Sequence, residues 1–283
     1  SSYGGTVSAG GTAGYGVQFT GTVNLSGANV TVTGTGGRGG DATNTAATGP
    51  ALPNTGAIGS SGSQAQGGNG AYGVYVASGA VVGINATTAA TITATGGNGG
   101  DATTTNQGGV ATGGSGAVGY YQSGSVSFTT PTATIDGRRG SSGGASSTYY
   151  TESDGGHSES YTCGSSTCWH TVYQGLQADY RSTSHSGSSG SAGSYGIYVN
   201  ANLTEASAGS TLKLLSLGDA YQAGGTLSAK NVLMQGSSNN WDYTFKQTTN
   251  NIEVLAAKAD NLYYYDTQDL LIGTVGGVSG ITT

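Results

Sequence analysis

A short motif that recurs along the chain constrains the fold more than any other feature of the sequence. The first copy is Tyr15-Gly-Val-Gln-Phe19 and the second is Tyr72-Gly-Val-Tyr-Val76, followed by a weaker third copy that begins at Val118 and a fourth that begins at Tyr195. Each of the first two copies leads through alternating apolar residues to a glycine-rich stretch. Four copies of one unit predict a solenoid, because each unit covers the apolar face of its neighbour.

Apolar residues within each copy alternate with Thr, Ser or Asn, as in Val30-Thr-Val32 and Thr91-Ile-Thr93. A period of two is typical of half-buried strands, and almost no segment has the spacing of a helix. Glycine accounts for 55 of the 283 residues and charged residues for only 8%, so the chain cannot fill a wide core. We therefore predict an all-β fold, in which a coiled parallel sheet surrounds a narrow column of stacked small and apolar side chains.

Three segments interrupt the repeat, namely 44–71, 104–117 and 140–194, and all are rich in small and polar residues. We expect glycine-rich loops that leave one edge of the coil, which is often the binding face of a solenoid. The chain then divides into glycine-rich β-solenoid repeats over 1–139, a long Cys- and Tyr-rich excursion over 140–194, and regular β-helix coils over 195–283.

Larger apolar residues mark the C-terminal third, in clusters that begin at Leu212, Val232, Ile252 and Leu270. Their spacing of about 20 residues matches one solenoid coil per cluster. The pattern stops in mid-motif at Gly280-Ile-Thr-Thr283, which predicts that further coils follow.

Two C-terminal segments, Asn251-Ile-Glu-Val-Leu-Ala-Ala257 and Asp269-Leu-Leu-Ile-Gly-Thr-Val275, resemble the repeats of filamentous haemagglutinin-like large bacterial exoproteins. The Tyr-Gly-Val-Tyr-Val repeats resemble the glycine-rich arrays of the same group. The resemblance covers most of the chain except 140–194. It implies a right-handed parallel β-helix (β-solenoid) in a secreted protein of the bacterial cell surface, where it acts in adhesion or as a stalk. The resemblance carries over no catalytic residue.

Two glycine motifs, Gly36-Gly-Arg-Gly-Gly-Asp41 and Gly96-Gly-Asn-Gly-Gly-Asp101, fit the first six positions of a calcium-binding nonapeptide. Carboxylate and carbonyl oxygens are the ligands that calcium prefers. Against calcium, the eighth position holds Thr43 or Thr103 instead of a large apolar residue, and the copies are not in tandem. We favour glycine-rich turns or polyglycine-like packing, and calcium at Asp41 and Asp101 is the alternative.

The two cysteines, Cys163 and Cys168, lie in the long excursion, close to His157 and His170. The composition indicates an exported protein, in which we expect a disulfide between them. Such a short ring contributes about 2 kcal/mol, which stiffens a loop but does not hold a domain together. Free thiols and a zinc site are the alternatives.

The excursion also holds the densest group of aromatic residues, which is a candidate contact surface. Rigid rings with a polar edge suit the recognition of glycans or proteins, although we favour the alternative that the same rings form a small core of the excursion. The candidate contact residues are Tyr149, Tyr150, Tyr161, Trp169, Tyr173 and Tyr180.

Several classes of function lack support in the sequence. There is no basic stripe for nucleic acid and no long apolar run for membrane insertion. Before residue 136 the only acids are Asp41 and Asp101, and no nucleophile, phosphate-binding or zinc-protease motif occurs. We therefore predict a protein that is not an enzyme and has no cofactor.

The predicted function is that of an extracellular, adhesive or structural segment of a bacterial surface protein. The predicted partners are glycans or proteins on a host or neighbouring cell. A self-assembling subunit of an extracellular filament or sheath is the main alternative, because open solenoid ends expose unpaired strand edges. Threonine pairs such as Thr31/Thr33 and Thr91/Thr93 also raise the alternative of an ice-binding face.

Overall fold

The computed structural model describes residues 7–44, 64–104, 110–153, 157–163, 166–172, 179–186, 188–237 and 241–283. Side chains are described for these residues except Val7 and those from 147 to 186. The described residues form strands and connecting turns and contain no helix, as predicted from the period-2 pattern. In particular, none of them forms an apolar helix of the length needed to cross a membrane.

The strands are short apart from two long ones in the first half of the chain. In chain order they are β1 (Val7–Ala9), β2 (Val17–Phe19), β3 (Thr22–Thr35), β4 (Ala42–Asn44), β5 (Gln64–Gln66), β6 (Val74–Val76), β7 (Val81–Thr95), β8 (Ala102–Thr104), β9 (Val110–Thr112), β10 (Tyr120–Gln122), β11 (Ser125–Thr129), β12 (Thr132–Arg138), β13 (Ala145–Ser153), β14 (His157–Cys163), β15 (Ser166–Val172), β16 (Asp179–Ser186), β17 (Tyr195–Asn200), β18 (Leu203–Glu205), β19 (Thr211–Leu217), β20 (Asp219–Gly224), β21 (Leu227–Gly236), β22 (Tyr243–Phe245), β23 (Asn251–Lys258), β24 (Leu262–Tyr264), β25 (Leu271–Ile272), β26 (Thr274–Val275), β27 (Val278–Ser279) and β28 (Ile281–Thr282).

Successive copies of the repeat contribute neighbouring strands to the same parallel sheets. Sheet 1 has the order β2-β6-β10-β17-β20-β22-β24, and sheet 3 has the order β1-β5-β9. Sheet 2 contains ten strands, and β7 and β21 each pair with two shorter strands, β7 with β11 and β12 and β21 with β18 and β19. These pairings close a ring of six parallel strands, β7, β11, β18, β21, β19 and β12. Sheet 4 joins β4, β8 and β13 in parallel and adds β16 in the antiparallel direction.

The core lies between sheets 1 and 2, where every second residue points inward. In sheet 2, for example, Ile92, Ile135 and Leu214 occupy the same position on adjacent strands and are at most 1% exposed. Burial of one such side chain contributes about 1.5–3 kcal/mol. The narrow column of stacked apolar residues agrees with the expectation from composition.

The glycine-rich segments pack against one another instead of forming loops, and we call them the glycine bundle. It comprises residues 10–14, 36–40, 67–71, 96–100, 113–117, 140–144 and 189–193. Two rows of backbone hydrogen bonds of 2.7–3.1 Å run across it. The first row joins Gly37 N to Gly14 O, Ala71 N to Gly37 O, Gly97 N to Ala71 O, Ala117 N to Gly97 O, Gly140 N to Ala117 O and Gly193 N to Gly140 O.

The glycine bundle corrects part of the predicted loop assignment. Residues 67–71, 113–117 and 140–144 were expected in loops, but they lie inside the stacked part of the molecule. The physical reason is the missing Cβ atom, which lets neighbouring backbones approach closely enough to hydrogen bond. Glycine at these positions is therefore a packing residue, in agreement with the polyglycine-like interpretation of the Gly-Gly-x-Gly-Gly motifs.

The register of the C-terminal strands agrees with the apolar clusters predicted there. Leu212 pairs with Val232, and Val232 pairs with Leu255, which belongs to the cluster that begins at Ile252. Leu255 in turn pairs with Ile272, in the cluster that begins at Leu270. The clusters therefore lie on adjacent strands of one sheet, although their exact register is not an equal step, since Ile252 itself pairs with Ala229.

The long excursion is built from antiparallel strands. β13 pairs with β16, and between them β14 pairs with β15. Only the first three residues of β13, Ala145–Ser147, continue the parallel sheet by pairing with β8. Meanwhile β12 pairs with β19, so the regions on either side of the excursion share one parallel sheet.

Candidate functional site

Seven tyrosines lie side by side on the outer face of sheet 1 and form the largest described group of surface aromatic residues. We call this group the tyrosine row. Its members are Tyr15, Tyr72, Tyr75, Tyr121, Tyr195, Tyr198 and Tyr221.

The parallel register places four of these tyrosines at one position on consecutive strands. Tyr75 pairs with Tyr121, Tyr121 with Tyr198, and Tyr198 with Tyr221. The residues on either side of each tyrosine along the strand point into the core, as Val74 and Val76 do beside Tyr75. The repeated Tyr-Gly-Val-Tyr motif thus produces a continuous aromatic surface only because its copies stack in register.

The glycine inside the motif is required by a close approach of two backbone segments. A Cβ atom on Gly73 would overlap the backbone of Thr95, at the end of the adjoining long strand β7. Gly119 is in the same situation against the backbone of Arg138. The glycine thus sets the turn that brings each tyrosine-bearing strand beside sheet 2.

The rings of the tyrosine row stack on one another. Tyr121 lies at its centre, with ring centroids 4.6 Å from Tyr72 and 4.7 Å from Tyr198 at interplanar angles of 6° and 12°. Tyr75 contacts the same ring in a tilted arrangement at 5.6 Å. Each aromatic pair contributes about 0.5–1.5 kcal/mol beyond burial. Because the faces are used in stacking, the row presents mainly ring edges and hydroxyl groups to solvent.

Stacking and burial raise the pKa of two tyrosines of the row, Tyr72 and Tyr198. Partial burial raises the pKa of Tyr72, and the neighbouring rings of Tyr121, Tyr15, Tyr75 and Tyr198 raise it further. Burial likewise raises the pKa of Tyr198, again with smaller contributions from adjacent tyrosines. At neutral pH these phenols therefore act as uncharged hydrogen-bond donors and acceptors.

The strands that carry the row hold charge only at one end, where Asp219 pairs with Tyr195. Strands β2, β6, β10 and β17 contain no Asp, Glu, Lys or Arg, and the first charged residue of sheet 1 is Asp219 in β20. An uncharged strip of phenol groups suits uncharged ligands that have both apolar faces and hydroxyl groups.

The contact residues predicted in the excursion lie outside the described side chains. This applies to Tyr149, Tyr150, Tyr161, Trp169, Tyr173 and Tyr180. It also applies to Cys163 and Cys168, whose disulfide stays a prediction. The backbone places Cys168 opposite Tyr161 and Cys163 opposite Ser166 in the β14–β15 pair.

The carboxylates considered for calcium have other partners. Arg38 forms ion pairs with both Asp41 and Asp101, at 2.7 Å for Asp101. Asp41 also accepts a hydrogen bond from the Asp101 backbone N–H, and Asp101 accepts one from Gly144 N. The bond from the Asp101 N–H is the main cause that lowers the pKa of Asp41, and Arg38 adds to it. This arrangement connects neighbouring segments of the glycine bundle, and the described residues contain no group of three or more metal-ligating side chains.

The threonine pairs form only a short ladder. Thr33 and Thr93 are paired, but the next strand carries Asp136 at the same position, and Asp136 binds Arg138 at 2.8 Å. The charged pair interrupts the flat threonine surface that an ice-binding face needs.

Comparison of the chain with protein-family models, curated proteins and solved structures finds no match.

Proposed function

We propose that the chain is a non-catalytic, adhesive segment of an extracellular bacterial surface protein. In this proposal its parallel sheets belong to a right-handed β-helix that serves as a stalk. The tyrosine row is the contact surface that the geometry supports best. The observation that carries the proposal is the continuity of the row, which extends over four successive strands of sheet 1, from β6 to β20, and continues through Tyr15 just before β2.

A neutral glycan on a host or neighbouring cell is the ligand class that fits this surface. Sugar rings combine apolar faces with many hydroxyl groups, and phenol edges offer matching contacts. The rings are already held by stacking, so little side-chain entropy is lost on binding. The absence of charge along β2, β6, β10 and β17 favours neutral glycans over uronates or sulfated chains.

Binding to an array of neutral and acidic glycans tests the proposal. We expect binding to neutral glycans, with about a tenfold loss of affinity in Tyr121→Ala, equivalent to about 1.4 kcal/mol. The matched control is Tyr263→Ala, because Tyr263 is 46% exposed in sheet 1 but lies under the Lys246 ammonium group instead of in the row. Equal loss in both variants, or binding to acidic glycans alone, would contradict the assignment.

A deletion variant separates the row from the excursion as the contact surface. Replacing residues 148–184 by a short Gly/Ser linker keeps the pairing of Ala145–Ser147 with β8. If the tyrosine row is the contact surface, this variant retains glycan binding. If the deletion variant loses binding while Tyr121→Ala retains it, the contact surface lies in the excursion.

The alternative function, a subunit of a filament or sheath, is favoured by one specific observation. Strand β3 is 14 residues long and pairs with β7 on one side only among the described strands. It carries no charge or proline that would discourage pairing with another chain. Apolar side chains of β2 and β3, including Phe19, Leu25 and Val30, line a cavity of about 530 Å³ beside this edge strand.

Electron microscopy at rising protein concentration tests the filament alternative. A filament subunit is expected to form ordered polymers above a threshold concentration. Thr31→Lys is then expected to abolish them, because it places a charge on the exposed part of the edge strand. Monomers at every concentration would exclude this alternative.

A further inference from the structure

The tyrosine row brings phenol rings from distant parts of the sequence into contact on the protein surface. Tyr72, Tyr121 and Tyr198 come from three successive strand levels, and their adjacent ring centroids are 4.6 and 4.7 Å apart. We propose that the tyrosine row is a site of oxidative tyrosine–tyrosine coupling, with Tyr121 as the ring that is joined to its neighbours.

The reaction needs a one-electron oxidant, and the chemical class we name is a haem peroxidase supplied with hydrogen peroxide. Each of two phenols loses one electron and its hydroxyl proton, which gives two phenoxyl radicals. A carbon–carbon bond forms between ring positions ortho to the two oxygens, and the two ring protons at these positions move to the oxygens to restore the phenols. Overall, two tyrosines and one hydrogen peroxide give one dityrosine and two water molecules.

The fold favours coupling within one molecule. Contacting rings have a far higher effective concentration for each other than rings on separate molecules in dilute solution. Tyr121 contacts three other tyrosines, Tyr72, Tyr75 and Tyr198, so a radical formed on any of them has a partner in place. At the end of the row, Tyr15 is 47% exposed and stacks on Tyr72 at 5.7 Å, which gives an oxidant direct access.

A bond between these rings would connect strands that are separate along the chain. Tyr72 precedes β6, Tyr121 lies in β10 and Tyr198 lies in β17. Such a bond closes a long loop of the chain and restricts the unfolded state, by the same mechanism that makes a disulfide stabilising. Coupled protein is therefore expected to melt at a higher temperature than untreated protein.

The test treats dilute protein with a haem peroxidase and hydrogen peroxide. We expect monomeric product with dityrosine fluorescence and an intact mass lower by two hydrogens for each bond. Peptide mapping is expected to find Tyr121 joined to Tyr72, Tyr75 or Tyr198. Tyr121→Phe keeps the stacked ring but cannot form a phenoxyl radical, so the bonds to Tyr72, Tyr75 and Tyr198 are expected to disappear from a protein with an unchanged circular dichroism spectrum.

The matched control is Tyr263→Phe, which removes an exposed tyrosine outside the row and is expected to leave the products unchanged. Three results would overturn the proposal. They are coupling only between molecules, bonds that map to tyrosines outside the row, and an unchanged product pattern in Tyr121→Phe. The reaction requires no glycan, so its outcome is independent of the proposed adhesive function.

Discussion

Replacement of Gly97 by alanine is expected to destabilise the protein by about 3 kcal/mol, at the upper end of the cost of overpacking. Gly97 lies in the middle of the glycine bundle, where its N–H bonds Ala71 O and its carbonyl accepts from Ala117 N. A Cβ atom on Gly97 would overlap the backbone carbonyl of Gly37. No side-chain rotation relieves this contact, because the position of a Cβ atom is set by its own backbone and the atom that it meets is a backbone carbonyl. Adjacent segments must therefore move apart and lose hydrogen bonds.

Gly14 provides a matched control within the same bundle. Its carbonyl accepts a hydrogen bond from Gly37 N, but a Cβ atom at Gly14 would meet no other atom within 4 Å. Gly14→Ala is therefore expected to be neutral, or to stabilise the protein by about 0.4–1 kcal/mol through the unfolded state. Urea unfolding of both variants measures the difference. Equal stability of the two variants would show that the segments do not pack as closely as described.

Replacement of Asn250 by alanine is the second change with a large expected effect, about 3 kcal/mol of lost stability. Asn250 is fully buried and exchanges two hydrogen bonds with Gln222, at 2.8 and 2.9 Å. Its Oδ1 atom also accepts from Leu227 N at 2.9 Å. Alanine leaves the Leu227 N–H and the Gln222 Oε1 atom without these partners inside the core, and each unpaired group costs about 1–3 kcal/mol.

The adjacent residue supplies the control for this change. Asn251 is exposed at the start of β23, and Asn251→Ala is expected to alter stability by no more than about 0.5 kcal/mol. Thermal unfolding of the two variants is the measurement. If Asn250→Ala unfolds at the same temperature as Asn251→Ala, the hydrogen bonds between Asn250 and Gln222 do not stabilise the core as the geometry indicates.

Much of the fold was predictable because the relevant signals are local. The alternation around Val30-Thr-Val32 indicates a strand wherever it occurs, since only a period of two buries one side of the chain. The recurrence of Tyr-Gly-Val-Tyr indicates stacked units, because each repeat covers the apolar face of the next. Local signals did not determine the exact register, because Val232 pairs with Leu255 and not with Ile252.

The candidate site was harder to predict, although its residues were visible in the sequence. Tyr75, Tyr121 and Tyr198 occupy matching places in the repeats, and this recurrence is the signal that points to the tyrosine row. The aromatic residues of the excursion form the more conspicuous cluster because they are close together in sequence. Closeness in sequence is a poor guide in a parallel sheet, where each strand contacts residues from the next repeat.

The sequence by itself determined that the chain is all-β, that its strands repeat, and that glycine must replace a conventional core in part of it. These properties depend on residue type and period, which act over a few neighbouring residues. Only the tertiary structure decided that the glycine segments form a hydrogen-bonded bundle and that Tyr121 stacks between Tyr72 and Tyr198. Both arrangements depend on which strands become neighbours and in which register, and a shift of one residue would turn the paired tyrosines Tyr75, Tyr121 and Tyr198 toward the core.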